Sequence, residues 1–441
     1  MAEFALGADP VLSLDALDAR DRGRVGSKAA GLATLLAAGL PVPDGFCLSA
    51  DAYRAHLAAA GVEDVARCVA QASEHEARHL SRRVRLGLLE TPLDTQTAER
   101  LYRAYDRLVS AHGPRVAVRS SALHEGSVSA SYAGQLETLL GVVGPDDLAI
   151  AVRACWASLW SARAAQYSRE RGDDPSGTAV ALLVQRLITA RVAGGGVSVD
   201  DNGQIALTAA WGLGAALAQG EVIPDRYALR REPLALESVE VGYKERRMVC
   251  PGGTGARWQS VEPESVSALC LSEEEMFAIA RLVLNVEHCL GSPVEVEWAL
   301  DTDGIHLLQV QARPTIIAPR RAARQVRSSH PPLQGQPVAR GWAAGPACVA
   351  RSENELDLVK LGDILVTRVP GPSLSLILGQ VAGIVAELGG STSHLAALAR
   401  ERGIPAVFGV RQATRQIPPS SRVSVDGTSG LVYFSEATLV E

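Results

Sequence analysis

The chain has 441 residues, a formal net charge of −6 and a hydrophobic content of 47%. This length exceeds one ordinary core and indicates about two to four packed domains. Charged residues at 21% and aromatic residues at 4% argue for a folded α/β protein and against a disordered chain. The negative charge disfavours a general nucleic-acid or anionic-membrane binder, so any phosphate site must be local.

Cysteine usage and the N-terminal sequence bear on the cellular compartment. Seven scattered cysteines without a CxxC motif indicate neither a disulfide framework nor a zinc site. The opening MAEFALGADPVLSLDALDAR contains acidic residues and lacks a basic start followed by an apolar run, and no apolar window is long enough to span a membrane. We therefore expect a cytoplasmic protein.

The first motif is VGSKAAGLATLLAAGLPVPDGFCLSA at residues 25–50. It predicts a turn of small residues that contains Lys28, then an amphipathic helix and a proline-bounded strand. The motif is not a Walker A loop, which needs GxxxxGK followed by Ser or Thr. Taken alone, it favours an ordinary surface lysine.

The second motif is RVAVRSSALHEGSVSASYAGQLETLLGV at residues 115–142. It predicts a strand that ends at Arg119 and a loop rich in glycine and hydroxyl side chains. A guanidinium beside such a loop can clamp a transferring phosphate, because it stabilises charge without blocking approach. A hairpin loop without a ligand has the same composition, so both interpretations stay open on pattern alone.

Three further segments precede the end of the first large region. AVALLVQRLITA at residues 179–190 predicts a buried strand broken by a polar pair, and RVAGGGVSVDDNGQ at residues 191–204 contains a glycine turn. PVEVEWALDTDGIHLLQVQARPT at residues 293–315 predicts an acidic strand, a turn and a returning strand. Carboxylate and amide oxygens are ligands suited to Mg²⁺, although a solvated hairpin has the same pattern.

A linker and a smaller unit follow. IIAPRRAARQVRSSHPPLQGQ at residues 316–336 has prolines, arginines and little periodicity. Fully extended, its roughly 20 residues span on the order of 60 Å, enough for one domain to move away from another. Residues 337–441 predict several short strands and a helix over about 394–402, which is an α/β unit of its own.

This last unit contains GGSTSHLAALARERGIPAVFG at residues 389–409. Gly389 and Gly390 permit a tight turn, the hydroxyl side chains supply a helix cap, and His394 begins the helix. Because a helix N-terminus presents free amides to anions, a phosphoryl group on His394 would meet backbone N–H groups. A capping motif with an exposed histidine is the alternative, and the motif alone does not decide.

The longer string GGSTSHLAALARERGIPAVFGV followed by RVSVDGTSGLVYF closely resembles the phosphohistidine domain of phosphoenolpyruvate synthase, pyruvate phosphate dikinase and rifampin phosphotransferase. The earlier motifs resemble the nucleotide domain of the same family, so the resemblance spans nearly the whole chain. It implies an ATP-grasp-like ATP-binding domain at residues 1–315, a linker at 316–336 and a swivelling α/β phosphohistidine domain at 337–441.

The resemblance also implies roles for individual residues. His394 would be the phosphoryl carrier, Lys28 and Arg119 would contact the ATP phosphates, and the 126–135 loop would be a lid. The VQRL segment resembles the family segment that lines the adenine pocket. The implied adenine contacts are Gln185 and the backbone of Leu187.

The acidic hairpin resembles the metal-binding part of the family. The matching positions are Glu297 and Gln311 for Mg²⁺ and Arg313 for the nucleotide, while Glu295 falls where the family often has an aspartate. Ala215 replaces the glutamate of the family pattern GLGE, so Glu221 is the candidate substitute.

A second departure lies at residues 191–204, where the family commonly shows VSGVxFTx followed by Asp or Asn and Pro. The glycine turn is kept, but the FT pair and the proline are not. This departure bears on how the nucleotide is placed.

The resemblance implies a phosphotransferase of the dikinase type that uses ATP and Mg²⁺ and releases AMP and phosphate. No acceptor domain is visible in the sequence, and three hypotheses stay open. The acceptor is a small molecule that docks on these domains, or the acceptor site lies on a partner protein as in a split dikinase comparable to phenylphosphate synthase. The third hypothesis is a non-catalytic nucleotide-binding carrier.

Overall fold

The computed structural model describes residues 9–123, 135–171, 176–313 and 330–435. Both helices and strands occur throughout these ranges, which confirms the predicted α/β class. The chain divides into two compact units, each assembled from separate stretches. The first comprises the described parts of Met1–Arg191, Val249–Arg257 and Arg281–Pro314; the second comprises those of Val192–Met248, Trp258–Ala280 and Thr315–Glu441.

The helices and strands have the following bounds in chain order. Up to residue 191 they are β1 (Val11–Ser13), α1 (Arg22–Ala37), β2 (Gly45–Leu48), α2 (Ala50–Ala59), α3 (Glu63–Val69), α4 (Glu74–Glu90), α5 (Thr95–His112), β3 (Arg115–Ala122), β4 (Thr138–Val143), α6 (Pro145–Ser158), α7 (Ala162–Arg171) and β5 (Val180–Arg186). From residue 192 to 313 they are β6 (Val192–Val197), β7 (Ile205–Trp211), α8 (Ala215–Ala218), β8 (Asp225–Arg230), β9 (Ala235–Glu240), β10 (Arg246–Val249), β11 (Arg257–Ser260), α9 (Pro263–Val266), α10 (Glu273–Leu290), β12 (Val294–Leu300) and β13 (Ile305–Ala312). From residue 330 they are β14 (Leu333–Gln334), β15 (Gln336–Ala339), β16 (Trp342–Ala350), β17 (Asp363–Thr367), β18 (Val381–Ala386), α11 (His394–Arg402), β19 (Ala406–Phe408), α12 (Ala413–Gln416), β20 (Arg422–Asp426) and β21 (Leu431–Ser435).

The first unit contains a five-stranded sheet with the order β1-β2-β5-β3-β4, in which neighbouring strands run antiparallel. Strand β5 is central, and its side chains from Val180 to Gln185 are all buried. A strand buried on both faces requires a continuous apolar run rather than alternation. The strand predicted within residues 179–190 is therefore confirmed.

The antiparallel hairpin of β12 and β13 also belongs to the first unit. Val294, Val296 and Trp298 are buried and alternate with more exposed carboxylate side chains, as expected for a half-buried strand. This confirms the acidic strand and the returning strand predicted for residues 293–315.

In the second unit, β6, β7, β8 and β9 pair antiparallel in chain order. The glycine turn predicted within residues 191–204 is wrong, because the glycine run lies inside β6 and pairs with β7. Asp225 opens β8, and its side chain and that of Lys244 have no solvent exposure. The Lys244 ammonium donates to Asp225 at 2.5 Å, and the backbone N–H groups of Gly242 and Cys270 donate to the same carboxylate at 2.7 and 2.8 Å. A buried ion pair is tolerable only when its remaining lone pairs are satisfied, as these are.

The 330–435 segment of the second unit folds around an eight-stranded sheet with the order β14-β21-β20-β16-β17-β18-β19-β15. Strands β16 to β19 pair in parallel, and β20 and β21 add antiparallel. The core is aliphatic, with Ile364, Val385 and Val425 fully buried. The helix predicted over about 394–402 is α11, and it ends at Gly403 in the left-handed conformation.

Some expectations lie beyond the described residues. They are most of the linker at 316–336 and all of the 126–135 lid except Gln135. The domain boundaries that flank this linker stay a prediction. Within the described ranges, no helix combines the length and the hydropathy that a membrane crossing requires.

We expect Lys244→Met to lower the free energy of unfolding by about 3 kcal/mol, because it leaves the Asp225 carboxylate buried without its cation. Glu240→Gln is a matched control, since Glu240 pairs with Arg226 at 3.1 Å on the surface and such pairs contribute about 0 to 1 kcal/mol. Urea unfolding of the whole chain measures both. Equal midpoints for the two variants would contradict the importance of the buried pair.

Candidate active site

Arg119 lies near the middle of β3 and reaches the β12–β13 hairpin within the first unit. The strand does not end at Arg119 as predicted, because its pairing with β5 continues to Ala122. Its guanidinium donates to Glu297 Oε2 at 2.9 Å, to Gln309 Oε1 at 3.0 Å and to the Leu308 carbonyl. The Arg119 side chain is only 13% exposed, whereas that of Glu297 is 42% exposed. The cation is therefore held in a fixed position beside the acidic hairpin.

Lys28 contacts the strand that contains Arg119. Its ammonium donates to the carbonyl of Ser120, the residue after Arg119, at 3.3 Å. Helix α1 is interrupted at Gly26, where φ is 77° and a Cβ atom would lie 2.4 Å from the Ser121 carbonyl oxygen. Only glycine permits this approach, which places Lys28 in the first turn after the interruption. The two predicted phosphate contacts thus involve adjacent positions of β3, because Arg119 belongs to the strand and Lys28 donates to the carbonyl of Ser120.

The face of the hairpin near Arg119 presents four oxygen-bearing side chains. The register pairs Glu297 with Gln309 and Glu295 with Gln311, and the Gln311 amide donates to Glu295 at 3.4 Å. Directly paired residues of an antiparallel ladder project to the same face. Glu297 and Gln311, the predicted metal ligands, are therefore diagonal neighbours rather than partners.

This donor set fits a hard cation such as Mg²⁺. No group of three or more histidine, cysteine or acidic side chains in the described residues forms a metal cage. Mg²⁺ does not need such a cage, because it commonly binds through one or two carboxylates together with substrate phosphates and waters. Glu297 with the amide oxygens of Gln309 and Gln311 supplies ligands of that kind.

Sequence reasoning did not assign a role to Gln309. The sequence contains a pattern that indicates this residue. Residues two apart on a strand project to the same face, and Gln309 lies two residues before Gln311. Arg313 follows β13 directly, and its backbone N–H donates to the Pro293 carbonyl at 2.8 Å, which closes the open end of the hairpin. A contact of Arg313 with the nucleotide stays a prediction.

The predicted adenine contacts are engaged in internal hydrogen bonds. The Gln185 side chain is 3% exposed, and its amide donates to the Pro43 carbonyl at 3.0 Å. The Leu187 N–H donates to the Arg115 carbonyl at 3.0 Å. These two donors hold neighbouring strands together, and a role for this segment in adenine binding stays a prediction.

Glu221 belongs to the second unit, not to the unit that contains Lys28 and Arg119. It forms an ion pair with Arg246, whose guanidinium also lies 4.2 Å from the centre of the Trp258 ring. The charge of Glu221 is therefore balanced locally. Its proposed substitution for the glutamate missing at Ala215 stays a prediction.

His394 is the first residue of α11 and is partly exposed. Ser393 precedes it as the helix cap: its hydroxyl donates to the Gly390 carbonyl at 2.9 Å and accepts from the Ala396 N–H at 3.4 Å. Arg400 donates to the Ser391 carbonyl at 2.6 Å, which ties the turn to the following helix. A phosphoryl group on the ring would lie at a rigid helix N-terminus.

Two family models match the chain. Residues 22–331 match the pyruvate phosphate dikinase AMP/ATP-binding domain, and residues 359–430 match the mobile domain of PEP-utilising enzymes. The chain belongs to the phosphoenolpyruvate synthase and pyruvate phosphate dikinase family. The resemblance that the GGSTSH motif suggested is confirmed, and so are the two predicted types of domain.

Known members of this family extend over nearly all of the chain. The phosphoenolpyruvate synthase of Pyrococcus furiosus is 33% identical over 95% of this chain and 58% of its own length, and that of Escherichia coli is 32% identical over 97% and 58%. The chain thus spans somewhat more than half the length of these relatives. A solved D-alanine-D-alanine ligase from Coxiella burnetii covers 64% of this chain at 13% identity with a TM-score of 0.24.

We expect Arg119→Ala and Lys28→Ala each to weaken Mg·ATP binding at least about tenfold, because each removes a charge-assisted hydrogen bond worth about 1.5 to 3 kcal/mol. Calorimetric titration of the full chain measures the affinity. Arg103→Ala is the control, since Arg103 is 74% exposed and pairs with Glu99 along α5. If the affinity for Mg·ATP is unchanged in both variants, Lys28 and Arg119 do not bind the nucleotide.

We expect Glu297→Gln to raise the Mg²⁺ concentration that ATP binding requires by about tenfold, because the neutral amide is a poorer ligand for a hard cation. Gln311→Ala should act in the same direction but more weakly. Titration with Mg²⁺ at fixed ATP measures the effect, and thermal unfolding is measured in parallel. If stability falls while the Mg²⁺ requirement does not change, the hairpin is structural.

Proposed function

We propose that this protein is an ATP-dependent phosphotransferase of the dikinase type, with phospho-His394 as its intermediate. One ATP and one water give AMP, inorganic phosphate and a phosphoryl group on the histidine ring. The phosphorylated histidine then transfers the phosphoryl group to an acceptor, which returns His394 to its unmodified form. The observation that carries the proposal is one chain that contains Arg119 on β3, with Lys28 bonded to the carbonyl of the next residue, in an AMP/ATP-binding domain, and a capped histidine at a helix N-terminus.

The nucleotide half of the reaction needs little covalent chemistry from the protein. Phosphoryl transfer is catalysed mainly by positioning and by stabilising charge that develops on the phosphate oxygens. Lys28 and Arg119 would bind and orient the ATP phosphates. Mg²⁺, when bound at Glu297, Gln309 and Gln311, would neutralise phosphate charge.

The carrier half of the reaction uses the local structure around His394. An unprotonated ring nitrogen attacks the phosphorus, the bond from phosphorus to its leaving oxygen breaks, and the N–P bond forms. The positive end of the helix dipole at the start of α11 favours the negative charge of the new phosphoryl group. The cap at Ser393 fixes the backbone orientation during this step.

The acceptor is proposed to be a small molecule. Two curated relatives are named phosphoenolpyruvate synthase, so pyruvate is the first acceptor to test. A site on a partner protein is the alternative for the same chemistry. Residues 333–336 of the expected linker belong to strands β14 and β15 or to the turn between them. The part that precedes β14, at 316–332, would let the carrier move between donor and acceptor, as a flexible tether allows.

Isotope labelling tests this proposal directly. ATP labelled at the β-position and ATP labelled at the γ-position are supplied with Mg²⁺ in separate reactions, and one label should remain on the protein while the other is released as phosphate. The protein-bound label should be acid-labile and alkali-stable. His394→Ala should abolish it, whereas His330→Ala, a histidine that stacks on Phe434, should retain it.

Three outcomes decide between the hypotheses. Label on His394 that pyruvate removes supports the complete reaction. Label that persists until a copurified protein is added supports an acceptor site on a partner. ATP binding without any label on His394 would overturn the phosphotransferase and favour a non-catalytic carrier.

A further inference from the structure

The loop that precedes His394 packs against the 192–248 segment within the second unit. The Gly389 N–H donates to the Val222 carbonyl at 3.1 Å. A Cβ atom on Gly390 would lie 2.7 Å from Cγ of Pro224, so this residue has no room for a side chain. The 192–248 segment lies inside the region that matches the AMP/ATP-binding domain. The carrier loop therefore rests on the nucleotide-binding part of the chain.

Thr392 makes the closest of these contacts. A Cβ atom on Gly195 of β6 would lie 2.5 Å from Cγ2 of Thr392 and 3.3 Å from its Cβ. Thr208 on the neighbouring β7 lies 3.4 Å from Thr392, measured between the two hydroxyl oxygens, and its hydroxyl also accepts from the Gly195 N–H at 3.2 Å. We call Gly195, Thr208 and Pro224 the carrier seat.

The contact between the carrier seat and Thr392 explains a glycine run for which the sequence alone indicated no role. Gly195 belongs to the run VAGGGV at residues 192–197, inside the segment that departs from the common family pattern. A glycine in a strand interior weakens the strand and often marks a close approach by another part of the protein. Here the approaching atoms are those of Thr392, two residues before the carrier histidine.

Three further side-chain contacts connect the 330–435 segment to the 192–248 segment. Arg340 pairs with Asp201 at 2.6 Å, and Arg368 pairs with Glu245 at 3.6 Å. The Arg411 guanidinium lies 4.5 Å from the centre of the Tyr243 ring. In each contact the cation comes from the 330–435 segment and its partner from the 192–248 segment. Such an arrangement sets the orientation of docking more than its strength.

We infer that Gly195 and Thr208 are positioning residues, which seat the carrier loop when His394 takes its phosphoryl group from ATP. The inference rests on the proposed function. Its physical basis is the short path from the seat to the ring: Thr392 is followed by the cap Ser393 and then by His394. A displacement of about 1 Å in a reacting group can cost on the order of a hundredfold in rate. The space available beside Gly195 therefore controls the position of the His394 ring.

A compensating pair of substitutions tests the clearance. Gly195→Ala places a methyl group against Cγ2 of Thr392, and we expect labelling of His394 to slow at least about tenfold while ATP affinity is unchanged. Thr392→Ser removes Cγ2 and keeps the hydroxyl, so the double variant should recover most of the rate. Gly379→Ala is the control, because Gly379 is exposed and a Cβ there meets nothing within 4 Å.

Two results with the single and double variants would overturn the inference. Slow labelling without recovery in the double variant would mean that the first substitution damages the strand, and it would overturn the seat as a positioning device. Labelling that becomes faster in Gly195→Ala would show that the docked pose is a resting one, which also overturns the inference.

A reversible cross-link separates docking from activity. The position of a Cβ on residue 195 lies 3.3 Å from Cβ of Thr392, close to the separation of about 3.5 to 4.5 Å that disulfides bridge. Gly195→Cys with Thr392→Cys should oxidise to an intramolecular disulfide, unlike either single variant, whether or not ATP is present. In one turnover the oxidised protein should label His394 at least as fast as the same protein after reduction.

Two results of the cross-link would overturn the inference. They are the absence of the disulfide, and a disulfide-bonded protein that fails to label until it is reduced. The phosphotransferase proposal fails if the disulfide forms but His394 is not labelled in any preparation, including the unmodified parent protein. The positioning role then falls with it, while the docking contact itself remains established by the cross-link.

Discussion

The buried ion pair between Asp225 and Lys244 fixes the part of the second unit on which the carrier loop rests. Its carboxylate binds one ammonium and two backbone N–H groups, so the start of β8 has a single stable position. Pro224 directly precedes this carboxylate, and Val222 lies two residues further back. Because these two residues contact Gly390 and Gly389, an ion pair that takes no part in the proposed chemistry determines the geometry at the carrier.

The first unit shows a different use of charge. Arg119 and Glu297 neutralise each other, and both are predicted to bind parts of the same Mg·ATP complex. A phosphate that approaches Arg119 competes with Glu297, while a Mg²⁺ that approaches Glu297 competes with Arg119. Each ligand would release the side chain that the other binds, so we expect the binding of nucleotide and metal to be thermodynamically linked. Before the substrates arrive, the pair keeps both groups oriented and avoids an isolated charge.

Local signals in the sequence were sufficient for much of the fold and for the local structure around several candidate site residues. The capped helix at His394, the buried strand β5 and the acidic hairpin each follow from short patterns, because caps, burial and alternation are properties of neighbouring residues. The partners of Gln185 and Glu221 could not be predicted this way, since Pro43 and Arg246 are distant in sequence. The need for glycine at position 195 also arises from Thr392, a residue in a different segment of the chain.

The arginine contacts around the carrier seat have a consequence for how long the carrier stays docked. Arg340 and Arg368 are partly exposed, as are their acidic partners, and each such pair contributes only about 0 to 1 kcal/mol. The Debye length is about 8 Å at physiological ionic strength, so salt weakens these contacts while leaving the backbone and apolar contacts of the loop nearly unchanged. The time for which the carrier loop stays in contact with the carrier seat should therefore shorten as the ionic strength rises. The contact time that remains in concentrated salt reflects only the contacts of the glycine, proline and threonine residues.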